Sequence, residues 1–260
     1  MNEIIELKKL YFYYNNKKII NNINLKIAPG KFYSIIGPNG SGKTTLLKLI
    51  DKQLPIKKET IFIEKKDIYL LNEKEIAKKI SMVPQNINIL FNFKVKDIVL
   101  MGRIPYLNFF SNETERDFNI VKKAMIKTKI LHLKDKNINS ISGGEMQRVI
   151  LARALAQESK IMLLDEAISN LDIYHQLDII EMLKKMVKNG ITVICVMHNL
   201  NLASKYSDKI ILLKNGSIIK IGNPKNTITK DLIEKLYNIK VNIIENPDNK
   251  NPLIINSYIT

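Results

Sequence analysis

Lys31-Phe32-Tyr33-Ser34-Ile35-Ile36 runs directly into Gly37-Pro38-Asn39-Gly40-Ser41-Gly42-Lys43-Thr44, and a helical pattern follows from Lys43 to about Asp51. The first six residues are rich in β-formers and follow the turn Ala28-Pro29-Gly30, so they read as a short buried strand. The next eight are a full match to G-x-x-x-x-G-K-[ST], set between a strand and a helix as that motif requires. Its glycines let the backbone curl so that successive N–H groups face phosphate oxygens, and the helix N-terminus adds positive potential. Lys43 is expected to reach the β- and γ-phosphates and the Thr44 hydroxyl to ligate Mg²⁺. The stretch implies a site for a nucleoside triphosphate.

Outward from this stretch, strands alternate with helices. On the N-terminal side, Ile4 to Ile27 alternates apolar and polar residues and reads as strands joined at Asn15-Asn16. On the C-terminal side, Glu73 to Ser159 is mostly helical, with a strand at Ser81-Met82-Val83-Pro84. Strands return at Ile161–Leu164 and Ile191–Met197, separated by a helix whose apolar face is Ile179, Met182, Leu183 and Met186 and which ends at Asn189-Gly190. Strands alternating with crossover helices predict a mainly parallel sheet, with the inserted helical stretch as a subdomain beside it. Val241–Ile244 and Leu253–Ile255 flank Pro247-Asp248-Asn249 as a small terminal hairpin.

Two further groups carry chemistry. The apolar strand Ile161–Leu164 ends in Asp165-Glu166, and adjacent carboxylates there are costly unless a cation or a reaction uses them. Asp165 suits contact to Mg²⁺, and Glu166, which strand alternation would point the other way, suits polarisation of an attacking water. Ser142-Gly143-Gly144-Glu145 opens a helix carrying Met146, Val149, Ile150 and Ala154. Ser-x-x-Glu is a capping box in its own right. Two glycines in a first turn nevertheless cost roughly 1 kcal/mol each against alanine, which makes sense where a phosphate must approach the backbone. Both readings stand on these residues alone.

The 260 residues allow one large domain or two closely joined ones, and 45% hydrophobic content excludes a largely disordered chain. The lone cysteine, Cys195, forms no internal disulfide and falls inside a predicted buried strand. With no signal peptide at Met1-Asn2-Glu3-Ile4-Ile5-Glu6 and no run of about 18 apolar residues, a soluble intracellular protein is expected. Lys and Arg number 41 against 25 Asp and Glu, a net charge of +16. The lysines fall in scattered pairs, which reads first as solvated surface in a Lys-, Asn- and Ile-rich sequence, then as attraction to an anionic membrane face, and last as nucleic-acid binding.

Taken together, the motifs resemble the nucleotide-binding subunit of an ABC transporter over almost the whole chain. The family's Leu-Ser-Gly-Gly-Gln signature appears as Ile141-Ser142-Gly143-Gly144-Glu145, keeping the serine and both glycines. Gln85 falls at the Q-loop glutamine, Ser169-Asn170-Leu171-Asp172 at the D-loop, and His198 at the switch histidine. Tyr14 fits the aromatic that stacks on adenine, with Tyr13 as runner-up; Ala167-Ile168 replaces the usual Pro-Thr after Glu166. The resemblance implies ATP and Mg²⁺ as cofactors. ATP-binding residues would be Tyr14, Gly37, Pro38, Asn39, Gly40, Ser41, Gly42, Lys43, Thr44 and Thr45. Thr44, Gln85 and Asp165 would serve the metal, and Glu166, His198 and Lys43 catalysis. Ser142, Gly143, Gly144 and Glu145 would contact the ATP of a second copy, with Asp172 in the D-loop between them. His132, His175 and Cys195 match nothing and stay structural.

The implied fold is an α/β P-loop NTPase (RecA-like) core with an antiparallel β subdomain and an inserted α-helical subdomain. The domain would span 2–242, with the helical insertion at about 86–159 and a C-terminal tail with hairpin at 243–260. Val99 to Leu107, with Gly102-Arg103-Ile104-Pro105, is similar to a stretch of importers for iron–siderophore, haem and cobalamin. So are Leu171–Leu177 and His198–Ala203. The resemblance thus implies an ATPase that powers a metal-chelate importer. Its partners would be a second copy, integral membrane permease subunits and, indirectly, an external substrate-binding protein, at the cytoplasmic face of the inner membrane. The alternative is a soluble ATPase of the same family acting on nucleic acid, ribosomes or cluster assembly. The charge favours it, but neither a second cassette nor a long coiled coil is present, and no nucleic-acid partner is expected.

Overall fold

The computed structural model describes residues 3–85, 91–108, 112–169 and 171–258. Asn2, residue 86 at the expected start of the helical insertion, Asn170 of the D-loop, and the last two residues of the tail lie outside them.

β1 (Ile5–Tyr14) and β2 (Lys17–Ile27) form an antiparallel pair turning at Asn15-Asn16, as the alternation predicts. β3 (Phe32–Ile36) leads into α1 (Lys43–Ile50). β4 (Ile61–Ile63) and β5 (Lys66–Asp67) complete a four-stranded antiparallel sheet in the order β2-β1-β4-β5. After α2 (Glu73–Ala77) and β6 (Ile80–Val83) come α3 (Val95–Leu100), a 3-10 turn at Met101–Tyr106, α4 (Glu115–Lys127) and α5 (Gly143–Ala156), which pack on one another. Then follow β7 (Ile161–Leu164), α6 (Ile173–Lys188), β8 (Thr192–Val196) and α7 (Leu200–Tyr206). The chain continues through β9 (Lys209–Lys214), β10 (Ser217–Gly222), α8 (Pro224–Thr227) and α9 (Lys230–Tyr237). A hairpin of β11 (Lys240–Glu245) and β12 (Pro252–Tyr258) follows. β11 begins three residues ahead of the expected tail at 243.

The larger sheet has the order β10-β9-β3-β8-β7-β6, parallel from β9 to β6 with β10 antiparallel at the edge. Its central strands are buried on both faces, so they read as nearly continuous apolar runs, interrupted by buried Ser34 in β3 and Thr192 in β8. Residue parity sorts them between two cores. Phe32, Met162, Leu164, Val193, Cys195, Ile210 and Leu212 face the core built with α5 and α6. Tyr33, Ile35, Ile161, Leu163, Ile194, Val196, Ile211 and Leu213 face the core shared with α1 and the antiparallel sheet. α5 is buried on nearly every side, and Arg148 within it donates to Asp178 of α6 at 2.7 Å.

The end of α1 offers a pH test. Burial pushes the Asp51 carboxyl up to about 6, against the opposing pull of the Gln53 amide that donates to it at 2.6 Å. The α1 carbonyl terminus also disfavours its negative charge. In the unfolded chain an aspartate titrates near 3.9, so between about pH 4 and 6 the folded state holds more protons and stability falls as pH rises. Asp51→Asn is expected to raise Tm at pH 7.5, with the gain vanishing toward pH 4; thermal melts giving equal gains at both would contradict it.

Candidate functional site

The phosphate loop is fixed by its neighbours. A Cβ on Gly37 would lie 2.1 Å from the Leu213 carbonyl oxygen of β9, so only glycine lets the loop leave β3 here. Gly216, in the β9–β10 turn, donates its N–H to the Ser41 carbonyl at 3.0 Å and accepts from Asn21 N at 2.9 Å. The loop turns through left-handed Gly40 and Gly42 into α1. Lys43, buried, donates from Nζ to the carbonyls of Gly37 at 2.9 Å and Pro38 at 3.0 Å. Burial lowers its pKa, opposed by the charges of Glu166 and Asp165. Ser41 Oγ is buried without a hydrogen-bond partner among the described residues.

The acidic residues approach from the end of β7, two strands over from β3. Parity puts the side chain after Leu164 on the α1 face, and Thr44 Oγ1 there donates to Asp165 Oδ1 at 2.9 Å. Burial raises the Asp165 pKa. Glu166 turns back differently from the expected strand alternation: β7 has ended, and Glu166 has a left-handed backbone with φ of 51°. Its carboxylate meets two other side chains. Gln85 Nε2 donates to Oε2 at 2.5 Å, and His198 Nε2 lies 2.6 Å from Oε1.

These groups border one cleft of 940 Å³. From the loop come Asn39, Gly40, Gly42, Lys43, Thr44 and Thr45; Gln85, Glu166 and His198 form the far wall, and Tyr14 the near end. Tyr13 does not line it and instead lies beneath the Lys18 ammonium, 5.8 Å from its ring centre. Gly37, Pro38, Ser41 and Asp165 are not among the lining residues. Gln85 enters the cleft but bonds to Glu166 rather than to the Thr44–Asp165 pair. Lys17, Lys18, Ile19, Asn215 and Gly216 also line it, and sequence reasoning passed over them. The Asn-Gly pair at 215–216, a strong hairpin signal, is what would have located that wall.

Ser142, Gly143, Gly144 and Glu145 do not line the cleft. Ser142 caps α5 and closes the capping box: Glu145 N donates to Ser142 Oγ at 3.3 Å, and Glu145 Oε2 accepts from Ser142 N at 2.8 Å. A Cβ on Gly143 would meet nothing, and one on Gly144 only ordinary contacts with Leu171 and His175. No contact within the chain therefore demands these two glycines. Asp172 caps α6 and holds His175 by its backbone N–H at 2.9 Å and its ring Nδ1 at 2.7 Å. Cys195 is fully buried and burial pushes its thiol pKa up, in keeping with a core residue.

The Gly102-Arg103 pair faces inward. A Cβ on Gly102 would lie 2.3 Å from the Arg153 carbonyl oxygen, and Arg103 is only 3% exposed. Exposed on this turn are Ile104 and Tyr106.

A phosphate loop between a parallel strand and a helix, faced by a carboxylate pair from the end of β7 in the same sheet, defines a P-loop nucleoside-triphosphatase. A family model described as ABC transporter matches residues 20–169. The ferric enterobactin transport ATP-binding protein FepC of Escherichia coli K12 is 36% identical over 243 residues, covering 93% of this chain and 90% of that protein. YvrA of Bacillus subtilis, an uncharacterized ABC transporter ATP-binding protein, is 36% identical over 244 residues; the chain spans 55% of its length. A solved transporter described as of metal-chelate type, in an inward-facing conformation, superposes with a TM-score of 0.84 at 27% identity, covering 98% of this chain and 97% of that one. The chain belongs to the ABC transporter family as its ATP-binding domain, and it is an ATPase. Among the described residues, no helix is long and apolar enough to cross a membrane.

Proposed function

We propose that this chain is the ATP-hydrolysing subunit of an importer for iron–siderophore, haem, cobalamin or a related metal chelate. It would act as a dimer beneath integral permease subunits on the cytoplasmic face of the membrane. The observation that carries the dimer is the split site: the phosphate loop lines the cleft, while the signature residues stand away from it with open space over Gly143. Two copies related by two-fold symmetry complete two such sites, each with a loop from one and a signature from the other. The relatives' printed roles and the Gly102-Arg103-Ile104-Pro105 stretch support the chelate class.

The residues fit the metal as well as the nucleotide. Thr44 Oγ1 and Asp165, already paired, offer the hard oxygen donors that Mg²⁺ takes, and bound there it would neutralise charge on the β- and γ-phosphates. Lys43 and the loop N–H groups hold the phosphates, and Tyr14 stacks on the base. Ser142 and the Gly143 and Gly144 amides of a second copy stabilise charge on the leaving phosphoryl group. Glu166 takes the proton of the attacking water or orients it, and His198 holds Glu166 and the γ-phosphate in register. Gln85 and the exposed Ile104 and Tyr106 carry the motion to the permease.

Ser142→Arg tests the composite site. ATP binding to the single chain is expected within about twofold of wild type, while phosphate release falls by about two orders of magnitude because the arginine blocks closure. Loss of the cap costs only about 1 kcal/mol, which a thermal melt monitors. Hydrolysis surviving this change would refute the two-copy site. For the transport role, affinity purification from detergent-solubilised membranes should bring down a permease; recovery of nucleic acid or ribosomes in its place would refute it.

A further inference from the structure

The terminal hairpin is joined to the histidine loop by side chains acting as backbone. Asn201 Nδ2 donates to the Ile254 carbonyl at 2.9 Å, and Ile254 N donates to Asn201 Oδ1 at 2.9 Å. One amide thus copies the two-point pairing of a β-ladder along the open edge of β12. One turn on, Ser204 Oγ donates to the Pro252 carbonyl at 2.6 Å, and Asn251 Nδ2 donates to the Ser204 carbonyl at 2.8 Å. Both residues belong to α7, whose N-cap Asn199 directly follows His198. The other side of His198 is fixed to the sheet, where Met197 N donates to Ile35 O at 3.2 Å. A helix of seven residues is marginal alone, so its position depends on what it packs against. The hairpin itself is anchored by buried Val241 and by Ile243 and Ile254 against the core.

We infer that Asn201 is a positioning residue: its bond to Ile254 sets α7, and through it the His198 imidazole that meets Glu166, so that the C-terminal hairpin backs the switch histidine. This rests on the reading of His198 given above. The test is a kinetic cycle on the full chain: wild type, Asn201→Ala, His198→Ala and the double variant, each with a thermal melt. Asn201→Ala is expected to lower kcat about tenfold with the KM for ATP within about twofold. In the His198→Ala background it should change kcat by less than about twofold, because the group it positions is gone. An equal loss in both backgrounds, a parallel rise in KM, or no loss at all overturns the proposal. Wild-type turnover by His198→Ala refutes the histidine's role itself; a slow His198→Ala beside a normal Asn201→Ala refutes only the positioning. Should Asn201→Ala not fold, Asn201→Asp, which keeps the acceptor for Ile254 N–H, replaces it in the same cycle.

Discussion

Glu166→Gln is expected to lower steady-state phosphate release by about 10³-fold while leaving ATP binding intact. Glu166 hydrogen-bonds to Gln85 and pairs with His198, while Lys43 and Thr44 have other partners, so the phosphate-holding groups stay in place. The amide is nearly isosteric with the carboxylate and still reaches His198 and Gln85, but it cannot take a proton from water. ATP should therefore bind, draw two copies together and remain unhydrolysed. On a sizing column with ATP and Mg²⁺ the variant should run as a stable dimer, whereas wild type returns to single chains. Near-normal turnover would remove Glu166 from its role, and loss of hydrolysis with no trapped dimer would break the link between binding and closure.

The core architecture was legible wherever chemistry and pattern coincide in one short segment. β3, the phosphate loop and α1 follow each other without a gap, and the apolar runs of β7 and of β8 after Thr192 announce strands buried on two faces. β9 was not identified, although it lies beside β3 and its carbonyl at Leu213 is what demands Gly37. Its signal, the run Ile210–Leu213 before Asn215-Gly216, is present, but nothing in the run marks it as central. β4 and β5 are three and two residues long, too short for alternation to show.

At the site, most of the phosphate loop met Tyr14, Gln85, Glu166 and His198 in one cleft, the signature residues stand apart from it, and the lining assembled from distant loops did not announce itself. Lys17, Lys18 and Ile19 line the cleft only because the β1–β2 hairpin folds over it. The direction of Glu166 follows from a left-handed backbone turn and not from strand parity, and no local pattern encodes that. For Ser142 to Glu145 the capping-box reading is the one formed within the chain. It explains Ser142 and Glu145, while no contact within the chain requires the two glycines, and the proposed second copy is what would use them.

Arg103→Met is expected to be the most destabilising single change outside the site. The guanidinium joins three segments: Nε donates to Asp117 Oδ1 of α4 at 2.8 Å, Nη1 donates to the Ala156 carbonyl at the end of α5 at 2.7 Å, and Nη1 also reaches Glu158 at 3.0 Å. Its face packs 4.0 Å from the Tyr106 ring centre. Asp117 is itself 5% exposed, and its pKa is held down to about 2, first by the Thr114 hydroxyl, then by the Thr114 amide, and only then by Arg103. That order matters, because the capping bonds keep Asp117 ionised even when the arginine is gone. The variant then holds a buried charge without its counter-ion, a situation that costs about 3–5 kcal/mol. Urea unfolding should show a lower midpoint with an unchanged slope. Arg103→Lys should recover little, since an ammonium cannot reproduce the planar fork that meets Asp117 and Ala156 together. Arg103→Met with Asp117→Asn should recover part of the loss, because the amide keeps an acceptor for the Thr114 cap while removing the stranded charge. If Arg103→Met unfolds at the wild-type midpoint, the inward-turned arginine is not what ties α4 to α5, and the Gly102-Arg103 pair would need another explanation.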